Sequence, residues 1–252
     1  HHYCDPNLPL NLGDNANCIV DAAPQTPTCN HGTRVAGVAA ASSNNGSGIA
    51  GLSWGARIWS VNIFDRDIGV CSSDCAGANC ATDDTAIVRA LNLVRSSHNI
   101  TGVGRIVANL SLGGVSTCVG SAVEIAVNNA VAGGVVVVVS AGNYAGSSVG
   151  GAVQNPGNCP NVIPVGATDE SDLIAGFSAR GAELANEGVV APGVQILTTD
   201  LSGNYAHATG TSFSAPIVSG IAALILAKKP TAAVSIATNE VQNLIRSSAE
   251  SV

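Results

Sequence analysis

Three short stretches hold residue types suited to acyl-transfer chemistry: "HGTRVAG" (31 to 37), "SAGN" (140 to 143) and "GTSFSAP" (210 to 216). Ser212 stands at the start of a long apolar run and follows the small residues Gly210 and Thr211. A helix start offers unpaired backbone N–H groups and partial positive charge. A serine placed there can present its oxygen to a substrate while its own N–H points at a developing negative charge, which describes a nucleophile with half an oxyanion hole. The plainer alternative is an N-cap serine. His31 also opens a predicted helix, and Asn143 follows a predicted strand. The G-x-S-x-G nucleophile elbow is absent around Ser212, and the chain has no P-loop or H-E-x-x-H pattern.

The elements that must position these residues alternate. Helices are predicted from His31 through "HGTRVAGVAAASS", over "ATDDTAIVRALNLVRSSHN" with Thr82 as N-cap, over "GSAVEIAVNNAVAGG", over 211 to 228 and over about 234 to 249. Strands are predicted at "ARIWSVNIF", "RIVANL", "VVVVV", "VIPVGATD" and "GVVAPG". Continuous Val and Ile runs mark strands buried on both faces, so the expected fold is α/β, with a parallel sheet and helices on both sides. In open parallel sheets ligands sit beyond the carboxyl ends of the strands. Ser111 to Gly114, Ser140 to Asn143, His31 and Ser212 can therefore converge on one rim.

The 252 residues suit one large domain, with 46 % hydrophobic and 11 % charged residues. Apolar runs are broken before 18 residues, so no membrane span is expected. A net charge of −7 argues against nucleic acid as the main partner. Eight cysteines, Cys4, Cys18, Cys29, Cys71, Cys75, Cys80, Cys118 and Cys159, fit disulfides in a secreted or periplasmic protein better than zinc. Their pairing is open among 105 arrangements. His1, His2, His98 and His207 are read as surface or structural residues.

The motifs, taken in order with "SLGG" (111 to 114), "GATDESD…FSARG" (166 to 181) and "APGV" (191 to 194), resemble the subtilisin-like serine proteases from about His31 to Ile245. The resemblance implies a three-layer, doubly wound subtilisin-like sheet and a single peptidase domain over 1–252, truncated at both ends. It makes His31 the general base, Ser212 the nucleophile and Asn143 the oxyanion donor. Ser111, Leu112, Gly113 and Gly114 become the edge that pairs with an extended substrate, and Ala141 and Gly142 the opposite wall of the pocket. Small neutral walls point to apolar or broad specificity, with a kexin-like preference for basic residues as the rival. Asn155-Pro156 resembles a cis-proline position. Asn44, Asn45 and the carbonyl of Ser47 or Ile49 are the candidate ligands for a structural calcium that the chemistry does not need, and the acidic insertion around Asp65 to Asp84 is a second candidate, with a plain solvated loop as the reading preferred there.

The triad carboxylate is the departure from the pattern. Asp5, Asp14 and Asp21 are the acids preceding His31, and none stands in an Asp-Ser/Thr-Gly context. The expectation is that the first strand lies on a companion fragment or outside the chain. The competing reading is an inactive, protease-like binding component. A lipase-like α/β hydrolase is disfavoured because those enzymes place the histidine last.

Overall fold

The run "VVVVS" becomes the centre of the molecule because β-branched residues suit a pleated, doubly covered strand. The structure, a computed structural model, describes residues 30–61, 63, 82–144, 151–228 and 237–252. In chain order the elements are α1 (His31–Ala40), α2 (Asp84–Ser97), β1 (Val107–Leu110), α3 (Ala122–Ala132), β2 (Val136–Ser140), β3 (Ile163–Thr168), α4 (Ala182–Glu187), β4 (Val189–Pro192), β5 (Ile196–Thr199), β6 (Tyr205–Ala208), α5 (Thr211–Lys228) and α6 (Ala237–Ser248).

Strands β1 to β4 pair in parallel in sequence order, and β5 and β6 form a separate antiparallel hairpin. All five residues of β2 are buried. Alternation along the strand divides the core in two. Val137 and Val139 pack with Ile87, Leu91 and Val94 of α2 and Val123 and Val127 of α3. Val136 and Val138 pack on the other face with Ala215, Val218 and Ala222 of α5 and Val241 and Ile245 of α6. This is the expected three-layer α/β arrangement, and each fully buried Val contributes roughly 1.5–3 kcal/mol.

Several local expectations change. Residues 56–61 carry no strand. Four of these six residues are exposed, and none pairs with a strand among the described residues. Asp83, rather than Thr82, caps α2: its carboxylate accepts the Ala86 N–H at 2.7 Å. Thr82 Oγ1 instead donates to the Ile63 carbonyl at 2.6 Å. The β5–β6 hairpin and the short α4 have no counterpart in the sequence reading. The expectation that no apolar segment reaches 18 residues is corrected by α5, which spans 18 residues at a mean hydropathy of 1.5. Ten of its residues are buried, so it is the core helix beneath the sheet.

The Asn155–Pro156 bond is cis, as the motif suggested. Cys118 and Cys159 form a disulfide. Cys4, Cys18, Cys29, Cys71, Cys75 and Cys80 lie outside the described residues, as do Asp5, Asp14, Asp21 and most of the acidic insertion.

Candidate active site

Helix α5 begins at the motif, and its first turn can be accounted for donor by donor. The Thr211 N–H goes to Asn143 Oδ1 at 2.8 Å. The Phe213 N–H goes to the Gly210 carbonyl at 3.0 Å. Between them, the Ser212 N–H has no partner among the described residues. Gly210 sits at φ +148°, in the region open to glycine, which sets the entry into this turn.

Thr211 also aims the asparagine. Its hydroxyl donates to Asn143 Oδ1 at 3.0 Å and accepts the Gly142 N–H at 3.1 Å. With Oδ1 taken twice, the Asn143 amide nitrogen is the end left open, and it lies beside Gly210. Asn143 and the Ser212 N–H are thus two unpaired donors at one helix mouth. The sequence reading did not find Thr211 as an orienting residue. Its signal was the hydroxyl inside "GTS", there read only as a small residue.

His31 is the first residue of α1, and its ring packs against the Phe213 ring with centroids 5.6 Å apart. The hairpin fixes this helix. Thr198 Oγ1 donates to the Arg34 carbonyl at 2.6 Å and Thr199 Oγ1 to the Thr33 carbonyl at 2.9 Å. Gly37 is required here because a Cβ would stand 2.5 Å from Thr198 Oγ1. Arg34 bonds Asp200 at 2.7 Å, which ties the helix to the end of β5 and holds the Asp200 carboxyl below its ordinary range.

Burial, and then the Arg34 charge, hold the His31 pKa below the ordinary histidine value. Neutral imidazole is the form able to accept a proton, so the acid limb of a His31-dependent reaction follows that pKa. Arg34→Gln removes a depressing charge, and the uncompensated Asp200 carboxylate acts in the same direction. The folded pKa rises, and the acid limb of kcat/KM moves to higher pH. A kcat/KM profile whose limb stays put or moves down would contradict this coupling.

The expected substrate walls are the extensions of the paired strands β1 and β2. Ser111 Oγ donates to the Ser212 carbonyl at 2.8 Å and accepts from Asn109 Nδ2 at 2.9 Å, so its side chain faces the serine. Leu112 is half-buried against the α2–α3 core. Gly114 and Asn155 exchange backbone bonds of 2.8 and 3.0 Å and close the outer end of the slot. The Cys118–Cys159 disulfide lies just behind that bridge. Ala141 is fully buried, with its carbonyl on the Gln154 N–H, so it backs the wall without facing the slot.

Gly113 and Gly142 face each other across a residue absent from the sequence reading. A Cβ on either would stand 2.6 Å from Gln154 Oε1. The Gln154 carboxamide lies between them and makes no side-chain hydrogen bond among the described residues. A polar carboxamide therefore fills the space beside both glycines.

Asn45 Oδ1 accepts the Ser47 N–H at 3.1 Å, and the loop 42–50 contains no carboxylate. No cluster of three His, Cys, Asp or Glu side chains exists among the described residues. His207 Nδ1 lies 2.9 Å from the Gln195 carbonyl within the hairpin. The buried ring of His98 accepts the Ile106 N–H at 3.1 Å on Nδ1.

A parallel sheet covered on both faces defines the subtilisin-like α/β class when its rim carries a helix-start histidine, a strand-end asparagine and a helix-start serine. Residues 5–252 match the profile of the Subtilase family, and the chain belongs to that family. It is 40% identical over 196 residues to the Thermophilic serine proteinase of Bacillus sp. (strain AK1), covering 78% of this chain and 42% of that protein. It is 37% identical over 229 residues to the Extracellular protease of Xanthomonas campestris pv. campestris, covering 88% and 36%. With Subtilisin DY of Bacillus licheniformis it shares 35% over 220 residues, covering 87% and 70%. The chain thus spans about two fifths of the length of the first two relatives. Among solved structures it resembles a cold adapted subtilisin-like serine proteinase, with a TM-score of 0.67, 27% identity and coverage of 87% and 68%. It also resembles a protease of Pseudoalteromonas arctica, with a TM-score of 0.69, 31% identity and coverage of 88% and 64%.

Proposed function

We propose that this chain carries the catalytic machinery of a secreted serine endopeptidase. Ser212 Oγ attacks the scissile carbonyl as His31 takes its proton, and the carbonyl π electrons move onto oxygen. The Ser212 N–H and the Asn143 amide receive that oxyanion. Its collapse expels the amine, which takes the proton from His31 and leaves an acyl-serine. Water, deprotonated by His31, then releases the acid in the same way. The observation that carries this reading is the pair of unpaired donors, the Ser212 N–H and the Asn143 amide, at the mouth of α5.

The reading requires a carboxylate on the second ring nitrogen of His31. None of the described residues supplies it, and neither a metal nor an organic cofactor takes part in the steps. Export is supported by the Cys118–Cys159 disulfide, which belongs to oxidising compartments, and by the printed name of the Xanthomonas relative. The Gln154 carboxamide favours small residues before the scissile bond. Gln154→Gly should raise kcat/KM for an aromatic residue there, relative to alanine, by about tenfold or more; an unchanged ratio in p-nitroanilide peptides would remove Gln154 from specificity.

The test of the reading is labelling by a fluorophosphonate probe, located by peptide mass spectrometry in the whole protein as its own gene encodes it. Label on Ser212 is expected. Folded protein that stays unlabelled and leaves denatured casein intact would replace the enzyme with a protease-like binding component.

A further inference from the structure

We propose that Asn109 and Ser111 are positioning residues for Ser212, supplying the hydrogen bond that Pro216 removes. The inference rests on the endopeptidase reading above.

In an α-helix the carbonyl of each residue accepts the N–H four positions on. For Ser212 that position is Pro216, which lies inside α5 and has no N–H. The carbonyl of the nucleophile's own residue therefore loses its regular donor. The Ser111 hydroxyl takes its place at 2.8 Å, across a sequence separation of 101 residues. Its direction is fixed from behind. Asn109 Nδ2 donates to Ser111 Oγ at 2.9 Å, so the hydroxyl hydrogen is free to point at Ser212. Asn109 Oδ1 is held in turn by Ser219 Oγ at 2.9 Å, two helical turns along the same helix, where Ser219 is buried.

The chain of bonds closes a loop from α5 to the carboxyl end of β1 and back to α5. Asn109 shares the α5 side of β1 with Val107, while Ala108 and Leu110 face α2 and α3, so the strand's alternation delivers the carboxamide to the helix. The bond ends on the carbonyl of the peptide unit that leaves Ser212, and so restrains the Cα that bears Oγ. A proline at this helix position and a hydroxyl at the strand end are therefore one device. Without the proline, the helix would hold Ser212 by itself; with it, the sheet holds Ser212 and sets its position relative to Asn143, just beyond the neighbouring strand β2.

The test uses Ser111→Ala, Asn109→Ala, Ser111→Thr, Pro216→Ala and the pair Ser111→Ala with Pro216→Ala in the whole protein. Active sites are counted with the fluorophosphonate probe, kcat and KM are measured on a peptide p-nitroanilide, and Tm is recorded. Ser111→Ala should lower kcat by about ten- to a hundred-fold with KM within about twofold, because a small misplacement of the reacting atom suffices. Asn109→Ala should shift kcat the same way by less. Adding Pro216→Ala restores a backbone donor, so the loss from Ser111→Ala relative to Pro216→Ala alone should shrink to about threefold or less. If the pair does not fold, Ser111→Thr decides: it keeps the hydroxyl and should retain kcat within about threefold.

A kcat loss of the same size with and without Pro216→Ala overturns the proposal, as does a Thr variant as impaired as the Ala variant. So does a rise in KM at unchanged kcat, which would make Ser111 part of the substrate edge alone. A wild-type protein that neither labels nor hydrolyses peptides removes the endopeptidase reading itself, and this inference with it.

Discussion

Ser212→Ala is expected to lower peptide hydrolysis by about a million-fold, the scale measured when a subtilisin nucleophile is removed. The physical reason is that the whole reaction passes through a bond to Ser212 Oγ. Without that oxygen, His31 has no hydroxyl to deprotonate and no acyl-enzyme forms. The donors at the helix mouth stay in place, because the Thr211 and Phe213 N–H groups keep their partners on Asn143 and Gly210. A residual advantage over water of about a thousand-fold is therefore expected from binding and the oxyanion donors alone. Alanine favours helix, and Ser212 Oγ makes no hydrogen bond among the described residues, so Tm should change little. Single-turnover assays with protein counted by its unfolding transition read the two effects separately. A loss of activity that tracked a loss of folded protein would show Ser212 to be a structural residue.

Asn143→Leu is the second large effect, expected at about a hundred- to a thousand-fold in kcat. Leucine approximates the shape of asparagine and offers no donor. The substrate carbonyl is a weaker acceptor than the oxyanion that follows it, so the missing bond is felt in the transition state and KM should change little. A secondary loss is built into the site: the Thr211 N–H and hydroxyl both lose their acceptor on Asn143. Thr211 is fully buried, so this leaves polar atoms without partners and should lower Tm by a few degrees. Asn143→Asp separates the two. It keeps both acceptor bonds to Thr211 and places a negative charge where negative charge must develop, so kcat should fall at least as far while Tm recovers. If the aspartate variant retained kcat, oxyanion stabilisation by Asn143 would be wrong.

These two residues were legible in the sequence because their signals are local. A small-residue turn before an apolar run announces a helix start, and a Val run followed by Gly and Asn announces a strand end. The family motifs then fix their order. The parallel core was legible for the same reason: β2 must be covered on both faces by whatever helices flank it. Failures fell where local preference is weak. Residues 56–61 look extended in composition but find no partner strand among the described residues, and the β5–β6 hairpin has strands of only four residues, too short for their alternation to stand out although Asp200, Ser202, Gly203 and Asn204 between them form turns. Thr82 and Asp83 are both good caps, and only the direction in which the chain enters α2 selects Asp83.

By itself the sequence determined the α/β architecture, the helix starts at His31 and Ser212 and the strand-end placement of Asn143, because each depends on residues adjacent along the chain. The tertiary structure decided what those groups do to one another. Thr211 turns the Asn143 amide outward, Gln154 fills the slot between Gly113 and Gly142, Arg34 meets Asp200, and Ser111 replaces the donor that Pro216 lacks. Each of these pairs is brought together by the packing of strands and helices from distant parts of the chain. Hydrogen-bond partners at such separations leave no periodic or local trace for the sequence to display.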